Sequence, residues 1–364
     1  MSAPALVPDP SRLWLGGYPA DGPGGRAGTG EGIWHARLDP GTGALEARLA
    51  AATPTPAFLA LAPDGRTLYA AAEQADGSLT AFAVGPDGAL TERHRIGSGG
   101  GWPCHLLVDP QGRALYATNY ATGDLVVVPL AADGGFTAEV VAGGLPAQSF
   151  PHRGSGPRAD RQEGPHAHSA VLVPGGRLLV ADLGTDELRR FRVRDDGSLV
   201  EDGVAHRFAP GTGPRHVAVV ASADGPCRLY VAGELSATVH VLAWDAASGA
   251  ARELQAVPAC ASPPVTGDAL YPAHVVVDGD RVVVSVRGAD VLATFAVGPD
   301  GLLEHLGDVA VGGAWPRHFA LVDGWAVVAA QGSARVTALA WDGAAPGPVA
   351  GSVDVPHPAC VLPG

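Results

Sequence analysis

Residues 56–73 read PAFLALAPDGRTLYAAAE and residues 77–90 read GSLTAFAVGPDGAL. Apolar and polar side chains alternate with period two, and the runs are broken by Pro-Asp-Gly turns, so the segment predicts consecutive short strands joined by hairpins. The unit recurs at Pro103 (PCHLLVDPQGRALYATNY, then GDLVVVPL) and at Pro165 (PHAHSAVLVPGGRLLVADLG, then DELRRFRVRDDGSL). It appears again at Pro214 (PRHVAVV, RLYVAGEL, ATVHVLAW), at Pro272 (PAHVVVDGDRVVVSVRG, DVLATFAVGPDGLL) and at Pro316 (PRHFALVDGWAVVAAQG, ARVTALAW). No segment carries a helical period. The anchor prolines are spaced 47, 62, 49, 58, 44 and 42 residues apart, counting a last one at Pro358, and this length suits one four-stranded propeller blade.

The two ends supply the missing blade. LWLGGY (13–18) and GIWHARLDPGTGAL (32–45) match the second and third strands of a unit that has no opening strand, whereas Pro358-Ala359-Cys360-Val361-Leu362 matches an opening strand alone. Joining them predicts an all-β, seven-bladed β-propeller closed by the N- and C-terminal strands in one blade, with residues 1–364 forming a single domain. Closure of this kind removes the exposed sheet edges that an open array would present.

Composition narrows the chemistry. All 24 basic residues are arginine, so mechanisms that need a lysine are excluded by inventory. The formal charge of −13 disfavours nucleic acid and anionic lipid as partners, although an arginine pocket for one small anion remains compatible with it. No apolar stretch is long enough to span a membrane, and residues 1–15 lack the pattern of an export signal, so a cytoplasmic protein is expected. Cys104, Cys227, Cys260 and Cys360 lie far apart without a paired spacing and predict buried, reduced thiols.

Six of the 13 histidines fall within three residues after an anchor proline: His105, His166, His168, His216, His274 and His318. Chance would place about one there, given a repeat of this length. Arg215 and Arg317 share the column. A second column closes the second strand of each unit: Tyr18, Glu73, Tyr120, Leu183, Glu234, Arg287 and Gln331, with Asn119 and Asp182 one residue earlier. Polar groups after so apolar a strand predict an aqueous cavity where the columns meet.

Imidazole, carboxylate and guanidinium groups around one pocket suit general acid–base catalysis with arginine holding an anion or a developing oxyanion. Hydrolysis or isomerisation of a small carboxylated or phosphorylated substrate fits best. Two other arrangements compete: His166 and His168 as a metal-binding pair on one strand face, and Ser169 beside His168 as a nucleophile. Neither displaces the metal-free scheme, and no metal or cofactor is expected. The Gly-rich run from Gly22 to Gly32 lacks the flanking strand and helix of a dinucleotide site and reads as a loop. The polar, Gly- and Pro-rich stretch from Gly143 to His168 is expected to be a loop over the channel mouth.

At these residues the chain resembles the lactonase family of seven-bladed propellers, which includes bacterial 6-phosphogluconolactonases and fungal carboxy-muconate lactonizing enzymes. The segments that carry the resemblance are RQEGPHAH (161–168), ADLGTDEL (181–188), GTGPRH (211–216), YPAH (271–274), SVRGAD (285–290), AWPRHF (314–319) and AAQGS (329–333). NYATGDL (119–125) and AGEL (232–235) support it more weakly. The resemblance implies hydrolysis of a small anionic sugar-acid lactone of the 6-phosphogluconolactone type, with muconate cycloisomerisation or a non-catalytic binding scaffold as alternatives. Its implied catalytic set is His168, Arg215, Glu234 and Arg287, with His168 as acid or base and Glu234 assisting it. His105, His166, His216, His274, Arg317, His318, Tyr120, Glu73 and Gln331 are expected to bind substrate. The chain is expected to be monomeric or weakly self-associating. It departs from the family where asparagines are common, with Gly233, Val286 and Ala330 in their place.

Overall fold

The computed structural model describes residues 11–18, 32–221, 227–265, 267 and 269–364. These form seven four-stranded antiparallel sheets arranged as a ring of blades. The innermost strands are Pro358–Pro363 for blade 1, then Pro56–Leu61, Pro103–Val108, Ala167–Val173, Pro214–Val220, Tyr271–Asp278 and Pro316–Val322 for blades 2 to 7. Each innermost strand touches those of both neighbouring blades, and Pro358–Pro363 sits between blades 7 and 2. Blade 1 takes its other three strands from the N-terminus, with Leu15 opposite Val361 and Gly16 opposite Cys360. The predicted closure is therefore the observed one. Most of the Gly-rich run, up to Glu31, lies outside the described residues.

Side chains alternate across each strand, so every sheet presents one apolar set to each neighbour. Tyr69 and Leu79 of blade 2 pack with Leu115 and Val126 of blade 3, and Tyr230 and Val241 of blade 5 pack with Val284 and Phe295 of blade 6. Burying a residue of this size contributes about 1.5–3 kcal/mol relative to exposure, so the core is spread around the ring between blades. All four cysteines are free and buried.

Two elements depart from the sequence expectation. A six-residue helix, Ala138–Gly143, ends on Gly144 in the left-handed conformation. Strand Gln148–Phe150 pairs with Asp124–Pro129 as the outermost strand of blade 3. Thus only the part of the 143–168 stretch after Phe150 is a long loop. Its short strand was hidden because a three-residue edge strand needs too few apolar positions to show a period.

The register repeats from blade to blade. Pro56, Pro103, Pro214, Pro272, Pro316 and Pro358 pair with Ala72, Asn119, Gly233, Val286, Ala330 and Gly17. A register shift follows at once in each blade, so the next residue or two bulge from the ladder. In blade 4 the residue in this place is Ala167, opposite Asp182, and not Pro165. The equivalent of Cys104, Arg215 and Arg317 is then His168, while His105, His216, His274 and His318 stand one position further on, beside Ser169.

That last set meets on the ring axis. His216 lies 5.5 Å from His105, 5.0 Å from His274 and 6.3 Å from His318, and Phe58 fits among them at 4.5 Å from His105. The His216 and His274 Nδ1 atoms are 2.7 Å apart, so one donates to the other. The backbone N–H groups of Ala170 and Val361 donate to Nδ1 of His105 and of His318, which requires both rings to be neutral there. Burial, then Arg215, pulls His105 and His318 down to about 3, and burial also holds His168, His216 and His274 well below the ordinary imidazole value.

Two outcomes follow from this architecture. A chain ending at Val355 loses the strand that closes blade 1, and its melting temperature should fall by roughly 10 °C or more; a melt within two degrees of the full chain would contradict closure as a stabilising feature. The five depressed imidazoles bind protons only after unfolding, so stability is lost as pH falls from about 6.5 toward 3, on the order of 1 kcal/mol per pH unit for each. Denaturant titrations should show this steepening, with these five histidines contributing about five protons taken up on unfolding near pH 5 and the likewise depressed His35 adding to them. A flat stability profile between pH 7 and 5 would refute neutral channel histidines.

Candidate active site

Above the axial imidazoles the ring encloses an open cavity of about 750 Å³. Three repeated positions build its wall. The residue after the paired proline gives Cys104, His168 and Arg317. The residue after its second-strand partner gives Tyr18, Glu73, Tyr120, Glu234, Arg287 and Gln331. The residue before the proline position gives Trp102, His166, Tyr271 and Trp315, an aromatic collar. Trp102 and Trp315 hold φ values of +54° and +63°, a conformation that costs energy outside glycine and aims the indole at the cavity.

Glu234 is the electrostatic centre. Its Oε2 lies 2.6 Å from Arg287 Nη2 and 2.9 Å from Arg215 Nε, and its Oε1 accepts from Arg161 Nη2 at 2.6 Å. The Arg215 Nε contact is ionic attraction rather than a hydrogen bond, since the N–H is aimed off the carboxylate. Burial raises the Glu234 pKa, but Arg287, Arg161 and Arg215 together outweigh it and hold the carboxylate well below its usual range. Backbone carbonyls fix two of the arginines: Arg287 Nε donates to Tyr271 O at 3.1 Å, and Arg215 Nη1 donates to Ala273 O at 2.5 Å. Arg287 also lies over Trp315 and Tyr271, 5.4 and 5.8 Å from the ring centres.

A second acid stands across the cavity. Glu73 accepts from Tyr18 Oη at 3.2 Å and lies 4.0 Å from Arg317, whose guanidinium covers the Tyr18 ring at 4.1 Å. Burial raises its pKa, with Arg317, Tyr18 and Arg215 opposing. The cavity wall thus holds Arg161, Arg287 and Arg317, with Arg215 buried beneath it, around two buried carboxylates. The other cavity acids, Asp160 and Glu163, sit beside Arg158 at 3.8 Å and His166 at 3.2 Å.

His168 lines this cavity with both faces constrained. Tyr120 meets it edge-on at 5.7 Å and His216 at 5.4 Å, and its Nδ1 lies 3.9 Å from Cys104 Sγ. No hydrogen bond engages its Nε2 among the described residues. His166 is stacked on Tyr120 at 4.4 Å, with Nδ1 2.8 Å from the Tyr120 carbonyl and Nε2 near Glu163. The two imidazoles therefore have separate partners. Ser169 Oγ donates to Arg215 O at 2.6 Å and is spent on that contact. Gly184 permits the approach to His166, because a Cβ there would collide with the Gly164 carbonyl oxygen.

The structure separates residues that the sequence had grouped. His105, His216, His274 and His318, expected to bind substrate, lie beneath the cavity and do not line it. Alternation along the strand is the cause: their neighbours one position earlier face the cavity, and they face the axis. Arg215 is also beneath the large cavity, reaching the site through Glu234. Glu234 makes no hydrogen bond to His168, so the expected direct assistance is replaced by its grip on the arginines. Asn119 braces a turn, donating to Ser98 O and Asp124 Oδ2, and Gly233, Val286 and Ala330 occupy its equivalent positions outside the cavity lining. Sequence reasoning missed Arg161, Trp102, Tyr271 and Trp315 as site residues. The signal for the aromatic collar was the large residue preceding several anchor prolines, and for Arg161 it was the loop that ends at the doubled histidine.

Comparison with known proteins agrees with this geometry. The family described as "Lactonase, 7-bladed beta-propeller" matches residues 12–363. The chain is 36% identical over 298 residues to 6-phosphogluconolactonase of Bacillus subtilis, covering 80% of this chain and 81% of that one. Among solved structures, a periplasmic gluconolactonase of Pseudomonas aeruginosa superposes with a TM-score of 0.84 at 28% identity, over 96% of this chain and 98% of the other. A Lactobacillus plantarum protein superposes equally well at 31% identity, over the same shares. With the family match spanning nearly every residue of the ring, the chain belongs to the lactonase family of seven-bladed β-propellers.

Proposed function

We propose that this lactonase hydrolyses the ring ester of an anionic sugar-acid lactone, with 6-phosphogluconolactone as the leading substrate. One observation carries this reading: Arg161, Arg287 and Arg317 line one cavity with Arg215 buried behind them, only Glu73 and Glu234 are buried among these four arginines, and the other lining acids, Asp160 and Glu163, are exposed to solvent. Surplus positive charge in a concave, partly desolvated site favours a substrate that brings its own negative charge. The aromatic collar supplies apolar faces for a sugar ring, and Tyr120, Glu73 and Gln331 offer hydrogen bonds to its hydroxyls.

His168 serves as the base. Its neutral imidazole takes a proton from water as the water oxygen bonds to the lactone carbonyl carbon, and the carbonyl electron pair moves onto oxygen. Arg287 and Arg317 face that oxyanion with fixed, charged N–H groups. Collapse breaks the bond to the ring oxygen, which receives the proton back from the imidazolium, and the new carboxylic acid ionises to solvent. Arg215 and Glu234 act by holding Arg287 in place and are positioning residues. A phosphorylated substrate does not cross membranes unaided, so the same reading places the reaction in the cytoplasm, in the oxidative arm of the pentose phosphate pathway. No helix of the described residues is long and apolar enough to cross a membrane.

The purified protein should hydrolyse 6-phosphogluconolactone above the buffer rate, with or without a chelator. Failure to hydrolyse that lactone would sink the substrate assignment, and loss of rate on chelation would sink the metal-free scheme. His168→Asn should lower kcat/KM by about 100-fold or more with an intact fold by circular dichroism. Because burial and Arg215 depress the His168 pKa, the base stays unprotonated to pH values well under 6.5. The acid limb of kcat/KM should therefore lie below that value; a limb at or above pH 6.5, or a fully active His168→Asn protein, would contradict the assignment.

A further inference from the structure

Of the three guanidinium groups on Glu234, one differs in kind. Arg215 and Arg287 share Oε2, their side chains are 3% and 6% exposed, and backbone carbonyls fix both. Arg161 alone takes Oε1, is 31% exposed, and comes from the loop between blades 3 and 4. Both of its side-chain contacts, to Glu234 and to Tyr120 Oη at 3.4 Å, use the same nitrogen, Nη2. Its Nε and Nη1 make no hydrogen bond among the described residues, so three of the five guanidinium N–H groups are unspent. One carboxylate charge is already offset by the two buried arginines, which leaves the charge of Arg161 surplus at the cavity wall.

The loop holds this arm at its base, while only one nitrogen of its head is engaged. Gln162, the next residue, is fully buried and donates Nε2 to Leu183 O and to Asp186 Oδ1, both at 2.9 Å. Its Oε1 accepts from Arg158 N at 3.2 Å. Gly156 leaves room for that side chain, since a Cβ there would collide with it. Asp186 also accepts from the Gly211 and Gly213 N–H groups at 2.7 Å, so the latch rests on the turn that leads into Arg215.

We propose that Arg161 is a specificity-determining residue: it grips the anionic substituent of the lactone, while the reacting ester lies against His168 and Arg287. This inference rests on the anionic-lactone reading above. Its planar fork suits phosphate or carboxylate bidentately, and Glu234 holds it ready without using the donors that face the ligand.

The test compares kcat/KM for 6-phosphogluconolactone and for uncharged glucono-δ-lactone in the wild type, Arg161→Met and Arg161→Lys, with folding checked by thermal melts. Loss of a bidentate charged contact should lower the ratio of the two kcat/KM values by about 10- to 100-fold in Arg161→Met, carried mainly by KM for the phosphorylated lactone. Arg161→Lys keeps the charge without the fork and should lose less. An unchanged ratio, whether both rates fall together or neither moves, would overturn the assignment. Calorimetric titration with 6-phosphogluconate separates this inference from the proposed activity. If the wild type hydrolyses neither lactone, weakening of 6-phosphogluconate binding by at least tenfold in Arg161→Met still upholds the gripping role, and equal binding or no binding by either protein overturns it. If Arg161→Met does not fold, Arg161→Gln is judged by the same ratio and the same titration.

Discussion

A carboxylate removed from water costs several kcal/mol unless cations and donors replace its hydration, and Glu234 is buried at the end of the second strand of blade 5. Three separate pieces of chain meet that demand: the innermost strand of blade 5 through Arg215, the second strand of blade 6 through Arg287, and the loop from blade 3 to blade 4 through Arg161. One buried charge thus ties together elements 53 and 73 residues distant in sequence. It also leaves more arginines than carboxylates among the buried groups at the site, which is the basis of the anionic substrate proposed above.

The strand repeat provides the frame in which this is possible. Every blade offers the same positions at the same depth, so chemistry is set by which side chains occupy a few columns, with the fold unchanged. In blades 3, 4 and 7 the first bulged position carries Cys104, His168 and Arg317 toward the cavity, and in blades 3, 5, 6 and 7 the next position carries an imidazole toward the axis. Those axial imidazoles, packed around Phe58 and accepting from backbone N–H groups, form a neutral plug under the site. They fill the channel with groups that hydrogen-bond one another without adding charge beside Arg215.

Much of this was legible in the sequence, for a physical reason. Period-two alternation, Asp-Gly turns and the unmatched end segments encode blade number and closure directly, and the polar column from Tyr18 to Gln331 follows strands too apolar to face water elsewhere. Other features were not legible. The offset of blade 4, where Ala167 takes the place of an anchor proline, depends on a bulge register that PHAH alone does not display. The split of the histidines into cavity and axis groups turns on a single residue of strand phase. The link from Arg161 to Glu234 spans an irregular loop, whose course no periodicity constrains, and Trp102 and Trp315 reach the cavity through left-handed backbone that sequence patterning does not announce.

The proposed chemistry requires Glu234 to be a fixed negative keystone that never exchanges a proton during turnover. The pH dependence of kcat/KM for Glu234→Gln tests this most directly. Unopposed arginines should lose their alignment, lowering kcat/KM by about 100-fold or more, while the acid limb persists below pH 6.5, because His168 still titrates. Full activity in that variant, or disappearance of the acid limb, would show that the carboxylate is either dispensable or itself the acid–base group.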